Sequence, residues 1–303
     1  MEHIKLKRVI CLMLCLCLFS AVMPALSEEI KPADFSDRFE DRFLAAGETP
    51  VTEDFRYISE NLFIEIAASR VGRSDVYVAD IYVRDLSSLR RGFGAGKWRT
   101  QMRTVKTIAE QEHAILALTG DNGHNFSKGV VFANGQRLRR TTNNKRDVCL
   151  IYMDGSMEVI GGRDLSKEKI EEITGNVWQS FLFGPALLDK DGKAITKFNS
   201  GVAPANPRAV IGYYEPGHYC LVQVDGRGTK SKIESGKKSV GMKLTELAAF
   251  MEELGCAQAY NLDGGQSALM WFNGKVVSTP YHGGRTVGDI VYLAEPAATE
   301  SAQ

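Results

Sequence analysis

Leu62-Phe63-Ile64-Glu65-Ile66-Ala67-Ala68-Ser69-Arg70-Val71-Gly72-Arg73-Ser74-Asp75-Val76-Tyr77-Val78-Ala79-Asp80-Ile81-Tyr82-Val83 reads as two strands joined by a turn. Phe63, Ile64 and Ile66, then Val76, Val78, Ile81 and Val83, carry the alternation of a half-buried sheet, and Gly72-Arg73-Ser74-Asp75 supplies the punctuation between them. Downstream, Ala114-Ile115-Leu116-Ala117-Leu118 reads as a buried strand running into the turn Thr119-Gly120-Asp121-Asn122-Gly123. Further strands are expected over 129–132, 137–140, 147–153, 157–160, 181–188, 209–214, 219–224, 269–272, 275–278 and 289–293, with Asp154-Gly155 as a hairpin turn.

Helices are few. A short one is expected over 99–113, and a second after Ser166 as N-cap, with Gly175 as its stop. The clearest places Leu244, Leu247, Ala248, Met251 and Leu254 on one face and ends at Gly255. Strands and helices are interspersed without a regular βαβ winding, which predicts an α+β fold: a mixed, mainly antiparallel β-sheet core with a few packed helices.

The chain has 303 residues, with 37 Lys+Arg against 37 Asp+Glu. A zero formal charge and no basic stripe argue against a nucleic-acid partner. Lys5, Lys7 and Arg8 precede an apolar run from Val9 to Met23, and Ala25-Leu26-Ser27 offers small residues at the positions a signal peptidase reads. Residues 1–27 therefore read as a secretory signal, with no membrane contact expected beyond it and a secreted or cell-envelope location for the rest. Residues 28–60 are polar and acidic and read as an N-terminal arm or linker, 61–296 as the functional domain, and 297–303 as a tail. Outside the signal only Cys149, Cys220 and Cys256 remain, without zinc or disulfide-framework spacing; they read as buried structural thiols, with a single bridge as the alternative.

Chemistry gathers at strand ends. Asn261-Leu262-Asp263-Gly264-Gly265-Gln266-Ser267 follows a buried strand, so a carboxylate and two glycines leave the sheet together. Consecutive glycines let backbone amides approach an anion, and Asp263 beside them has the chemistry of a base or nucleophile. Taken alone, Asp-Gly-Gly is a tight turn. Arg208, Arg227 and Arg285 also stand at strand ends. Singly each reads as a surface ion pair, but converging they would describe a site for phosphate or carboxylate. Asp121 is the candidate second carboxylate, with Asn122 and His124 beside it to orient a hydroxyl. No Walker loop, Rossmann fingerprint, HExxH helix or GxSxG elbow is present. No metal ligand set is assigned and no cofactor is called for; carboxylates at strand ends leave room for a hard cation such as calcium.

Several ordered blocks carry a more specific signal. These are Leu118-Thr119-Gly120-Asp121, Phe183-Gly184-Pro185-Ala186-Leu187, Asn206-Pro207-Arg208-Ala209, Val224-Asp225-Gly226-Arg227, Gly241-Met242-Lys243-Leu244, Tyr260-Asn261-Leu262-Asp263-Gly264-Gly265-Gln266-Ser267, Asn273-Gly274-Lys275 and Gly284-Arg285-Thr286-Val287. Over roughly 75–295 they resemble the phosphodiester glycosidase family. The resemblance implies cleavage of a sugar-1-phosphodiester at the anomeric carbon, with a glycan or glycosyl phosphate as partner. It gives Asp263 and Asp121 the catalytic roles, and phosphate or sugar binding to Arg208, Arg227, Arg285, Asn261, Gly264, Gly265, Ser267, Asn122 and His124. Gln266 stands where relatives often have glycine or serine, and Gly120-Asp121-Asn122-Gly123-His124 lacks their aromatic. These departures keep a non-catalytic glycan-binding protein of the same fold as the alternative.

Overall fold

The expected hairpin forms from Leu62–Val71 and Ser74–Val83, with Val71 opposite Ser74 and Gly72 at φ 56° in the turn. The computed structural model describes residues 31–143 and 145–296. The hairpin lies inside a seven-stranded sheet whose spatial order is Val51–Thr52, Arg56–Ile58, Leu62–Val71, Ser74–Val83, His218–Val224, Arg208–Glu215 and Gln258–Asn261. A five-stranded sheet follows the order Lys275–Val276, Met270–Phe272, Leu116–Thr119, Asp289–Leu293 and Leu89–Phe93. Among the described residues every strand pairing is antiparallel, so the fold is α+β without the mixed component expected of its sheets.

The period-2 alternation of each strand builds the layers. Leu62, Ile64, Ile81 and Ile211 of the larger sheet share a core with Leu116, Leu118, Met270 and Phe272 of the smaller one. On the outer face of the larger sheet, Val210, Val222 and Ala259 pack against Leu244, Leu247, Ala248 and Met251 of helix α3 (Leu244–Glu253). On the outer face of the smaller, Ala117, Trp271 and Ile290 pack against Val105, Ile108 and Ala109 of α1 (Val105–Gln111). A three-stranded sheet of Met157–Ile160, Val148–Tyr152 and Val177–Phe181 packs against α2 (Lys167–Ile173), whose N-cap Ser166 accepts from the Lys169 N–H. All three described cysteines are free and buried, Cys220 and Cys256 with their sulfurs 3.8 Å apart.

Three local readings are corrected. Residues 31–60 are not a loose arm: Phe35 and Tyr57 are buried in the central core, and two short strands extend the larger sheet at its edge. Val51 and Thr52 are both exposed and Arg56–Ile58 is buried only at Tyr57, so the composition of these strands looks like that of a linker. The strand expected over 181–188 is instead Val177–Phe181, after which the chain leaves regular pairing through a cis Gly184-Pro185 bond. Of the helix expected over 99–113 only Val105–Gln111 forms, because Arg103–Thr104 pairs with Thr286–Val287. The signal segment and the tail lie outside the described residues. No helix among the described residues is long and apolar enough to cross a membrane.

Candidate active site

Antiparallel order brings the candidate residues to one end of the larger sheet. The strand Arg208–Glu215 begins where both of its neighbours finish: Arg208 pairs with Val224, and Val210 with Asn261. Arg208, the Asp225-Gly226-Arg227 segment and Asp263 consequently emerge side by side. The Asp263 N–H donates to the Gly120 carbonyl at 3.0 Å, tying this end to the strand Leu116–Thr119 of the other sheet. Arg285 arrives from the loop ahead of the final strand.

Asp263 is 5% exposed and lines a cavity of about 390 Å³ with Arg208, Arg227, Arg285, Gly264, Gly265, Gln266, Asn206, Phe183, Gly201 and Val202. Its Oδ2 accepts from the Ser267 hydroxyl at 2.6 Å and from Arg285 Nη2 at 2.8 Å. Arg285 Nε donates to the same Ser267 oxygen at 2.5 Å, so the hydroxyl proton is directed at Asp263. Oδ1 receives no hydrogen bond from the described side chains or backbone. Burial pushes the Asp263 pKa up, and the Ser267 and Arg285 contacts oppose the rise.

Each arginine is held differently. Arg208 is 2% exposed and donates to the backbone carbonyls of Met242 (2.9 Å), Val202 (2.7 Å) and Pro204 (2.6 Å). Burial pushes its pKa down to about 10, so it stays charged at neutral pH, and it has no ion pair with a carboxylate among the described residues. Exposed Arg227 stands on a left-handed backbone at φ 56°; its Nε donates to Asn206 Oδ1 at 3.0 Å, and its guanidinium lies 5.2 Å from the Tyr281 ring centre. Three arginines line a cavity that holds one carboxylate, and only Arg285 is paired with it, an arrangement that favours an anionic ligand.

Of the two glycine amides expected to cradle an anion, that of Gly265 is already engaged. The Gly265 N–H donates to the Pro207 carbonyl at 2.9 Å. A Cβ at Gly264 would stand 2.5 Å from that same carbonyl oxygen, so the pair lets the Asp263 turn lie flat against the start of the Arg208 strand. Asn261, unlike these two glycines, does not line the cavity. Its Nδ2 donates to the Gly184 carbonyl at 2.8 Å and pins the segment that carries Phe183.

Asp121 is likewise not brought to the cavity. It is fully buried, with Oδ1 accepting from Arg91 Nη2 and from the Gly123 N–H (2.6 Å), and Oδ2 accepting from the Leu182 N–H (2.7 Å). Burial raises its pKa to about 6 against the lowering effect of Arg91. A carboxylate so placed holds two sheets' loops together, has no oxygen without a protein donor, and is closed to a substrate by its full burial. Arg91, 1% exposed and bonded also to Asp289 at 2.8 Å, escaped the reading of the sequence; an arginine inside the strand Leu89–Phe93 was the available signal. His124 does not line the cavity: its Nε2 lies 3.1 Å from the Met102 sulfur, and burial lowers its pKa. Asn122 lines a neighbouring hollow. Among the described residues no group of three or more His, Cys, Asp or Glu side chains converges as a metal site.

Known proteins share this architecture. The solved catalytic domain of zebrafish N-acetylglucosamine-1-phosphodiester alpha-N-acetylglucosaminidase, auto-inhibited by its pro-peptide, superposes with a TM-score of 0.57 at 21% identity, over 78% of this chain and 83% of that one. A hypothetical protein from Synechocystis gives a TM-score of 0.52 at 14% identity, over 82% of this chain and 64% of its own. In sequence, the SPbeta prophage-derived protein YomE of Bacillus subtilis is 26% identical over 209 residues, 65% of this chain. The N-acetylglucosamine-1-phosphodiester alpha-N-acetylglucosaminidase of Bos taurus is 26% identical over 242 residues, 73% of this chain. The matches span 30% and 43% of the length of these two relatives. A family profile, phosphodiester glycosidase, aligns with residues 107–294, more than half of the chain and the part that supplies every candidate residue described above; this chain belongs to the phosphodiester glycosidase family.

Proposed function

We propose that the chain is an exported hydrolase that cleaves a sugar-1-phosphodiester bond in a cell-surface or extracellular glycan. The observation that carries this reading is the asymmetry of Asp263, one oxygen fixed by Ser267 and Arg285 and the other without a protein partner, in a cavity shared with Arg208 and Arg227. Cleavage breaks the bond between the anomeric carbon and the phosphate oxygen. The electron pair leaves with the phosphate, and a water oxygen ends on the sugar. Phosphate is a good leaving group, so the work of the protein is to neutralise charge on the departing side and support an oxocarbenium-like carbon on the other. The guanidiniums serve the first need. Asp263 Oδ1 serves the second, by direct attack or by taking a proton from the attacking water. Phe183 offers an apolar surface beside them. Export rests on the leading segment of the sequence, and 61–296 is retained as the catalytic region with the core contributions of 31–60 added.

The test is release of free sugar from a synthetic glycosyl phosphodiester, followed by mass spectrometry for the wild-type chain and for Asp263→Asn. Asparagine keeps the shape and an acceptor for Arg285 but removes the charge, and a loss of at least about a thousandfold in turnover is expected. Full activity in the variant would overturn the assignment. Saturable glycan binding by the wild type with no product would favour a binding protein instead.

A further inference from the structure

A second hollow, of about 620 Å³, adjoins the Asp263 cavity and shares Phe183, Gly201 and Val202 with it. The two hollows meet at these three residues. Lys145, Arg146 and Lys197 line the second hollow, and Asp147 is its single acidic lining residue. Asp147 Oδ2 accepts from the Ala186 N–H at 3.1 Å, which turns that carboxylate toward the backbone. None of the three cations forms an ion pair among the described residues. Arg146 is fixed in place, its guanidinium 4.1 Å from the Phe126 ring centre and its Nη1 donating to the Phe183 carbonyl at 2.9 Å, while Lys145 and Lys197 are exposed.

Each hollow thus sets three cations against one carboxylate, within a chain whose formal charge is zero. Concentrating positive charge along adjoining concave surfaces raises the local potential for an extended anion far more than scattered surface lysines would. A single phosphodiester fills only the Asp263 cavity. Phe126 and Phe198 of the second hollow also give an apolar flank on which a sugar face can rest.

We infer that the second hollow is a subsite for the next repeat of the substrate, and that the substrate class is an oligomeric or polymeric glycosyl phosphate with a second phosphodiester one repeat from the cleaved bond. This rests on the reading of the Asp263 cavity as the phosphodiester site. Arg208, Arg227 and Arg285 take the scissile phosphate, and Lys145, Arg146 and Lys197 take its neighbour.

Two defined probes test it: a methyl N-acetylglucosamine-1-phosphodiester, and a trimer of N-acetylglucosamine units joined through 1-phosphodiesters. Binding of each to the full-length Asp263→Asn chain is measured by calorimetry at low salt and at 0.5 M salt. Exposed ion contacts are individually worth up to about fivefold, so the trimer should bind about tenfold more tightly than the monomer at low salt. Salt should largely remove that advantage. In the Lys145→Ala, Lys197→Ala double variant, which keeps Arg146, the trimer-to-monomer ratio at low salt should fall severalfold, to about twofold. Equal affinity for the two probes, a ratio unaffected by the double substitution, or no binding of the trimer would each overturn the inference. Failure of the parent reading looks different: the trimer's binding advantage persists, and the wild-type chain releases no sugar from either probe.

Discussion

Arg285 and Asp263 are joined at 2.8 Å, and the same guanidinium reaches Ser267, which itself donates to Asp263, so three side chains close a ring around a single carboxylate oxygen. The ring fixes the orientation of the other oxygen. It also ties the ionisation of Asp263 to a residue 22 positions away, in a loop that Gln266 Nε2 holds as well through the Gly284 carbonyl at 3.1 Å.

That link sets a pH dependence. Burial raises the Asp263 pKa, and Arg285 works against it. Arg285→Gln removes the charge that favours the ionised form, so the pKa rises further and the fraction of carboxylate at a given acidic pH falls. The acid limb of kcat/KM for sugar release should therefore move to higher pH in the variant, by about one unit or more. A limb at the wild-type position would show that the profile reports another group.

Arg208 and Arg227 should separate on substitution. Arg227→Ala removes an exposed guanidinium, so KM for a glycosyl phosphodiester is expected to rise by about tenfold or more, with the melting temperature nearly unchanged. Arg208→Ala leaves the Val202 carbonyl without its donor and takes one of two donors from the carbonyls of Pro204 and Met242, and should lower the melting temperature as well as weaken binding. Thermal denaturation alongside kinetics distinguishes the two.

Asp121→Asn should behave as a structural lesion. Asp121 accepts three N–H groups, and an amide in its place turns one acceptor into a donor facing either the Leu182 N–H or the Arg91–Gly123 pair. A loss of about 2–4 kcal/mol is expected in denaturant unfolding. Well below the melting temperature, the folded fraction should retain most of its kcat. A thousandfold loss of kcat in a fully folded variant would restore Asp121 to a catalytic role.

Gly264→Ala adds a Cβ that would stand 2.5 Å from the Pro207 carbonyl oxygen, a backbone atom that cannot swing aside. Destabilisation of about 1–3 kcal/mol is expected, together with loss of sugar release as the Asp263 turn is pushed off the Arg208 strand. Alanine at Gly274 meets no neighbour within 4 Å, although its φ of +82° brings local strain. It should leave sugar release intact at a temperature where the chain is folded.

Much of the architecture was legible in the text of the chain. The Leu62–Val83 hairpin, the Leu244–Glu253 helix and the strands before Asp121 and Asp263 follow from alternation, helical spacing and glycine stops, all of which act within a few residues. The edge strands inside 31–60 were not, because strands of two and three residues that bury only Tyr57 carry too little alternation to stand out from a linker.

The site divides in the same way. Order and identity of the sequence blocks single out Asp263, Arg208, Arg227, Arg285 and Ser267. Which carboxylate faces the cavity was decided only by tertiary structure, since Asp121 and Asp263 both end buried strands in polar, glycine-rich turns. What separates them is what lies opposite: Arg91 and two backbone N–H groups occupy both oxygens of Asp121, whereas Ser267 and Arg285 occupy only one of Asp263. Hydrogen-bond capacity is filled by neighbours distant in the chain, and the pairing of antiparallel strands determines who those neighbours are.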